Sequence, residues 1–230
     1  MSYKLETNAL HAGHDIKNTS GTRAVPIYQT SSYVFNDSEH AANLFSLAEP
    51  GFIYTRLNNP TNDILEQRLA ALEGGVASVA TASGQSAVAT TLLVMLKSGD
   101  HIVASNSLYG GTYNLLKVTL PRLGITTTFV DPDDVNNFEK AVKPSTRVFF
   151  AETLGNPKLD VLDLKAISQK AKKAKVPASI ITPPIEVPFP VINLVREWIT
   201  IFAPCSIGFK RAGVAIVLST TKGTFAFFAF

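Results

Sequence analysis

One cysteine, Cys205, in 230 residues rules out an internal disulfide, and such a chain suits a reducing compartment. Charge is sparse: 17% of residues are charged and the net charge is +3. That is too weak an excess to imply a nucleic acid or a membrane surface as partner. The four histidines, His11, His14, His40 and His101, form no pair with each other or with Cys205 at zinc-ligand spacing, so no metal site is expected. His11 and His14 read as part of a solvated arm. Uninterrupted apolar runs are also missing. The longest candidate for a membrane span, Val187 to Phe209, is broken by Arg196, Glu197 and prolines. The first residues, Met1 to Glu6, have no apolar stretch of the signal-peptide kind and carry an acid early. A cytoplasmic protein is the expectation. Acids themselves run out: no Asp follows Asp163, and the only later acids are Glu186 and Glu197.

What is present is a globular composition, 46% hydrophobic, with a regular alternation of strand-like and helix-like segments. Asp63 to Glu73 reads as a helix, with Thr61 or Asn62 as its cap and Gly74-Gly75 as its stop. Short strands are expected at His101–Ala104, Ile125–Val130 and Arg147–Ala151, the last buried on both faces. Helices are expected at Thr112–Leu123, interrupted near Pro121, at Asn136–Val142 and at Leu164–Lys175. This order predicts an α/β fold, a mainly parallel sheet with helices on both faces. Before it, residues 1–60 have little periodicity beyond a short helix at His40–Leu47. They read as an extended N-terminal arm suited to a partner subunit.

The stretch Val79 to Ala87 is a short strand, a Ser-Gly turn and the start of an apolar helix, Ala87–Leu96. A helix start offers unpaired N–H groups and partial positive charge. Gly84 permits close approach of a ligand, and Ser83 and Ser86 add hydroxyls. The stretch reads as a phosphate cradle, and equally as a plain turn capped by Ser83. Ligands of such sheets bind beyond the carboxyl ends of the strands. Ser83-Gly84, Ser107-Leu108-Tyr109 and Glu152 to Pro157 all fall there.

Six pieces in order carry a resemblance. They are Thr7 to Gly13, Val25 to Tyr33, Tyr54-Thr55-Arg56 with Asn59-Pro60-Thr61, Ser83 to Ala87, Tyr109 to Tyr113, and Glu152-Thr153 with Asn156-Pro157. Over about residues 5–177 the chain resembles the pyridoxal-phosphate enzymes of cysteine and methionine metabolism, the cystathionine synthases and lyases, and is most similar to their O-acetylhomoserine sulfhydrylase branch. The resemblance implies a type I pyridoxal-phosphate transferase-like large domain over 61–177 and pyridoxal 5′-phosphate as cofactor. It implies that Ser83, Gly84 and Gln85 hold the cofactor phosphate, that Tyr109 stacks on the pyridine ring as a catalytic and binding residue, and that Asn156 bonds the ring's phenolic oxygen. Tyr54 and Arg56 would reach a neighbouring subunit's phosphate. The implied partners are a small amino-acid substrate and a homo-oligomer, and the implied reaction is γ-replacement giving homocysteine from O-acetylhomoserine and sulfide.

After Pro177 the chain departs from the family, which has an apolar strand ending in Asp-Asn-Thr. Here Ile181 or Thr182 occupies the aspartate position. The family's Schiff-base lysine, in Ser-x-Thr-Lys, matches Ser219-Thr220-Thr221-Lys222, later than expected, with Ser219 and Thr221 then on the phosphate; Lys210 lies nearer the expected spacing without the motif. The expectation is a diverged, poorly packed tail over 178–230, from a shifted frame or misjoined exon or from true divergence, with the small C-terminal domain absent. The chain is then truncated and of low or no activity. The other expectation is a non-catalytic subunit that binds a full-length homologue through its arm.

Overall fold

The computed structural model describes residues 3–75 and 77–176, and the backbone of 178–182, 199–202, 214–218 and 227–229. Lys222, Ser219, Thr221 and Lys210 lie outside the described residues. The chain forms two compact units, residues 1–72 and 73–230.

The second unit is built on one sheet. Its strands are β1 (Ala77–Thr81), β2 (His101–Ser105), β3 (Thr126–Val130), β4 (Thr146–Glu152), β5 (Ala178–Thr182), β6 (Ile199–Phe202), β7 (Val214–Leu218) and β8 (Phe227–Ala229). The order is β1-β7-β6-β5-β4-β2-β3, with β8 on β7. Pairings β2–β3, β2–β4, β4–β5 and β5–β6 are parallel; those of β7 are antiparallel. The sheet is therefore mainly parallel. Every residue of β2 is buried, and so is every residue of β4 from Val148 to Glu152. Successive strand side chains point to opposite faces, so both faces of the sheet are covered there.

The covering elements follow their sequence signals. Helix α7 (Leu164–Ala174) starts where the Asp163 carboxylate accepts from Ala166 N–H and ends on Lys175 at φ 56°. Its Ile167 and Ala171 enter a core with Val103, Phe138, Phe149 and Val176. Lys170 and Lys173 reach Glu139 of α6 (Asn136–Lys140) at 2.7 and 2.5 Å and pull its carboxyl down to about 2.

The helix expected over Thr112–Leu123 is α5 (Gly110–Asn114), then a wider π turn at Leu115–Thr119 and a tight 3₁₀ turn at Leu120–Leu123. Pro121, which lacks an N–H, falls in the 3₁₀ turn, where the helix ladder has already been left. After Pro177 the backbone enters the sheet four times, as β5 to β8. The packing of that tail involves side chains beyond those described.

In the first unit, α1 (Leu5–His11) and α2 (Ser38–Phe45) precede α3 (Pro60–Glu73), which begins earlier than its sequence suggested. Its cap is Asn59 rather than Thr61 or Asn62: Asn59 Oδ1 accepts from Thr61 N–H at 2.9 Å. Pro60 takes the first helical position, where a missing N–H costs nothing. The helix α2 starts on Asp37, whose carboxylate accepts from His40 N–H at 2.8 Å. Arg68 Nε donates to Ala12 O at 3.0 Å, tying the segment after α1 to α3.

His101, fully buried at the start of β2, makes 2.8 Å hydrogen bonds to Thr146 Oγ1 and Thr128 Oγ1. Burial, and then the Lys143 ammonium, lower its pKa below 6.5. A lowered folded pKa means stability that is present above pH 6.5 and lost as pH falls through the folded value. His101→Asn is therefore expected to flatten the loss of melting temperature between neutral and acid pH. An unchanged pH slope in thermal melts would refute this.

Candidate active site

The strand β1 ends at Thr81, and the helix α4 (Gly84–Met95) starts three residues later. Ser83 is its N-cap: the hydroxyl accepts from Ser86 N–H at 3.1 Å, and the Ser83 carbonyl takes the first helical bond from Ala87 at 3.0 Å. Both readings of this turn hold together. The cap uses the third amide of the helix, while Gly84 and Gln85, its first two residues, have no carbonyl one turn earlier to bond. Those two amides are what an anion would meet, with the helix dipole behind them.

The Gln85 side chain turns toward α5. Its Nε2 donates to Thr112 Oγ1 at 3.1 Å. Thr112 is buried, and its hydroxyl acts on the carboxyl of Glu152, the last residue of β4, lowering its pKa. The Glu152 carboxylate also accepts from the Tyr109 backbone N–H, at 3.0 Å through Oε2. The Tyr109 ring is 51% exposed although its backbone is fixed. Burial pushes the Glu152 carboxyl up to about 7, while the Tyr109 N–H and Thr112 hydroxyl act the other way. Among the described residues no Lys or Arg forms an ion pair with it.

Asn156 is exposed on a loop that returns on itself, Leu154 pairing with Val161, and its bond to Pro157 is cis. The loop is pinned by Asp160. Ser107 Oγ donates to Asp160 Oδ1 at 2.6 Å, and Gly155 N–H donates to Asp160 O at 2.8 Å. Ser107 is itself set by its N–H on Ser105 Oγ at 3.0 Å. The Asn156 loop is thus anchored two residues before Tyr109. Ser83, Gly84, Gln85, Tyr109 and Asn156 all fall at the carboxyl ends of β1, β2 and β4 and belong to one unit.

Tyr54 and Arg56 belong to the other unit. They sit on a short two-stranded contact in which Ser32 pairs with Tyr54, Thr55 N–H donates to Ser31 O at 3.0 Å, and Thr55 Oγ1 bonds Thr30 O. The Arg56 guanidinium lies 5.5 Å from the Tyr54 ring centre. An open groove of about 580 Å³ is lined by Tyr28, Gln29, Thr30, Ser31, Tyr54, Thr55 and Arg56. Asn59 Nδ2 holds its walls, donating to Tyr28 O at 3.0 Å and to Thr55 Oγ1 at 3.1 Å.

Sequence reading placed Ser107 and Glu152 only among the groups at the strand ends and Thr112 only within a quoted motif, gave none of the three a role, and did not single out Asp160. Glu152 had a readable signal, an acid directly after an apolar strand. Asp160 had none, because its partner Ser107 is 53 residues away.

A mainly parallel sheet with an unpaired helix start, a held aromatic plate and a pinned amide at its carboxyl ends defines an α/β domain of the cofactor-binding class. The pattern of the Cys/Met metabolism PLP-dependent enzyme family matches residues 6–183, and the chain belongs to that family. It is 60% identical over 179 residues to the O-acetyl-L-homoserine sulfhydrylase of Leptospira meyeri, 78% of this chain and 40% of that protein. It is 50% identical over 179 residues to the homocysteine synthase of Schizosaccharomyces pombe, 78% of this chain and 42% of that one. Among solved structures, the cystathionine gamma-lyase of Lactobacillus plantarum complexed with L-serine superposes with a TM-score of 0.79 at 30% identity, covering 95% of this chain and 55% of its own. A Campylobacter jejuni structure assigned as an O-acetylhomoserine (thiol)-lyase, with N′-pyridoxyl-lysine-5′-monophosphate, gives 0.79 at 36% identity, covering 87% and 50%. The chain spans about 40% of the length of the curated relatives named here. Among the described residues no helix is long and apolar enough to cross a membrane.

Pyridoxal phosphate fits part of this site. The amides of Gly84 and Gln85, which have no intrahelical carbonyl to bond, suit a phosphate, and the half-exposed Tyr109 ring suits a flat heteroaromatic face. The acid for a pyridine nitrogen does not fit. The β4–β5 register sets Ile181 opposite Glu152 and Thr182 one residue on, and neither residue carries a charge.

Proposed function

We propose that this chain is the cofactor-binding portion of an O-acetylhomoserine sulfhydrylase-type enzyme, whose whole-protein reaction is replacement of the γ-acetate by sulfide to give homocysteine. The observation that carries the reading is the linked set Gln85, Thr112, Glu152 and Tyr109 beside the free amides of α4. The identity to O-acetyl-L-homoserine sulfhydrylase supports the substrate class. Bound pyridoxal phosphate would supply an electron sink for the substrate's α-carbon. The chain's own residues hold and orient: Ser83, Gly84 and Gln85 on the phosphate, Tyr109 on the ring face, Asn156 on the phenolic oxygen. Lys222 would anchor the cofactor and move the α-proton, with Ser219 and Thr221 on the phosphate. Tyr54 and Arg56, which line the groove of the first unit, would serve the phosphate of a second copy.

Without an acid at Ile181 or Thr182, turnover by this chain is expected to be low or absent while binding persists. Equilibrium dialysis should show the chain taking up pyridoxal phosphate, with inorganic phosphate competing. Lys222→Ala should remove any visible absorbance due to covalent attachment and leave the phosphate-sensitive binding in place. No uptake would refute the reading of the site. Steady homocysteine formation from O-acetylhomoserine and sulfide would refute the expected inactivity.

A second reading, a non-catalytic subunit that associates with a longer homologue, is favoured by apolar side chains in the first unit. Val34 is 97% exposed, Leu47 87% and Ile27 75%. Co-purification of the chain with a full-length relative would support it, and a monomer that ignores that relative would refute it.

A further inference from the structure

We propose that Glu152 is a positioning residue for the cofactor: from the end of β4 its carboxylate holds the ring plate, Tyr109, and through Thr112 the Gln85 side chain at the mouth of the phosphate cradle. This role rests on the pyridoxal-phosphate reading of the site. Hydrogen-bond direction supports it. The Gln85 amide nitrogen can only donate, so Thr112 Oγ1 accepts there, 3.1 Å away. The single Thr112 proton is then not used by Gln85, and the hydroxyl acts on the Glu152 carboxyl, lowering its pKa. The Tyr109 N–H is a second donor aimed at the same group, at 3.0 Å. Both donors are consistent with an ionised acceptor, and bonds to an ionised acceptor are shorter and stronger than neutral ones. One buried group thereby holds the Tyr109 backbone and acts on the hydroxyl that carries the Gln85 side chain, at two different strand ends.

Folding alone gives no reason for a carboxylate here. Glu152 is only 6% exposed, and burial raises its pKa to about 7. A buried charge without a cation is costly, and a neutral group of the same shape would be cheaper. Groups held in this way at the mouth of a site are commonly functional. The geometry also separates Glu152 from the ligand. It reaches the backbone of Tyr109 and the hydroxyl of Thr112, so its effect on a cofactor passes through them.

The test uses the full chain and the variants Glu152→Ala, Glu152→Gln and Thr112→Val. Three quantities are read: the Kd for pyridoxal 5′-phosphate, hydrogen exchange at the Tyr109 amide, and melting temperature at pH 8. Glu152→Ala should raise Kd roughly tenfold or more and speed Tyr109 amide exchange. Glu152→Gln keeps an acceptor for the Tyr109 N–H. It should hold Kd within about threefold, protect the amide, and melt no lower than the parent. Thr112→Val should raise the Kd for pyridoxal 5′-phosphate, leave Tyr109 protected, and weaken competition by inorganic phosphate. A folded Glu152→Ala that binds like the parent overturns the role. Should Glu152→Ala fail to fold, the other two variants decide: a Kd raised roughly tenfold or more in Glu152→Gln, or no rise in Kd in Thr112→Val, overturns it. A parent chain that binds no pyridoxal 5′-phosphate overturns the reading of the site and this role with it. A parent that binds normally while the variants do not differ overturns the role alone.

Discussion

Replacing Phe149 with alanine is expected to cost about 3–5 kcal/mol. At roughly 2–4 °C per kcal/mol for a chain of this size, the melting temperature should fall by roughly 6–20 °C. Phe149 is 1% exposed at the centre of β4, paired in register with Val103 of β2 and Ala178 of β5. Its ring lies 5.6 Å from that of Phe138, tilted by 46°. Removing it takes away an aromatic pair and leaves a void beneath α6 and α7, in the core they share with Ile167 and Ala171. The cost has two parts, lost transfer energy and a cavity that rigid neighbours on a sheet cannot close. Val118→Ala at an exposed position is the control, expected within about 0.5 kcal/mol. A calorimetric difference between the two variants under 1 kcal/mol would mean that this region is not the core.

Phe149 was legible because a strand buried on both faces reads as a continuous apolar run, and Val148 to Ala151 is one. The helix start at Ser83 was legible for a similar local reason: a capping hydroxyl, a glycine and an apolar helix are adjacent in sequence. What escaped was what depends on distance along the chain. The Tyr109–Glu152 bond joins residues 43 apart, and a sequence has no mark for that pairing. The cap of α3 was placed too late because Asn59, Thr61 and Asn62 can all cap. Pro60, with its preference for the first turn, pointed to Asn59. The π turn at Leu115–Thr119 has no proline or glycine of its own. Within it Leu116 O accepts from Thr127 Oγ1 at 3.2 Å, a contact with β3 that no local residue signals. The strands β5, β6 and β8 were missed because proline and aromatic residues are mixed with Ile and Val there, and no steady period survives.

Gly155→Ala is expected to destabilise the chain by about 2 kcal/mol and to weaken pyridoxal-phosphate binding, because it breaks the anchor of the Asn156 loop. A Cβ at Gly155 would collide with Asp160 Oδ1 and Ser107 Oγ, and would stand 2.7 Å from Asp160 Cγ. The two oxygens are held together by their 2.6 Å hydrogen bond, so neither can give way without losing the other. Asp160 must leave, and its carbonyl, which accepts from Gly155 N–H at 2.8 Å, moves with it. Asn156 follows directly and carries the group assigned to the phenolic oxygen. The argument predicts non-additivity. Asp160→Ala alone loses the Ser107 bond, but it also removes the carboxylate that the new methyl would meet, and the freed Ser107 hydroxyl can rotate away. Adding Gly155→Ala to Asp160→Ala should therefore cost less than about 0.5 kcal/mol, against about 2 kcal/mol in the parent, a coupling well above the scatter of independent sites. Denaturant melts of the four chains measure the cycle, and dialysis against pyridoxal phosphate measures the loop. If the two substitutions simply add, the steric clasp is not what holds the Asn156 loop in place.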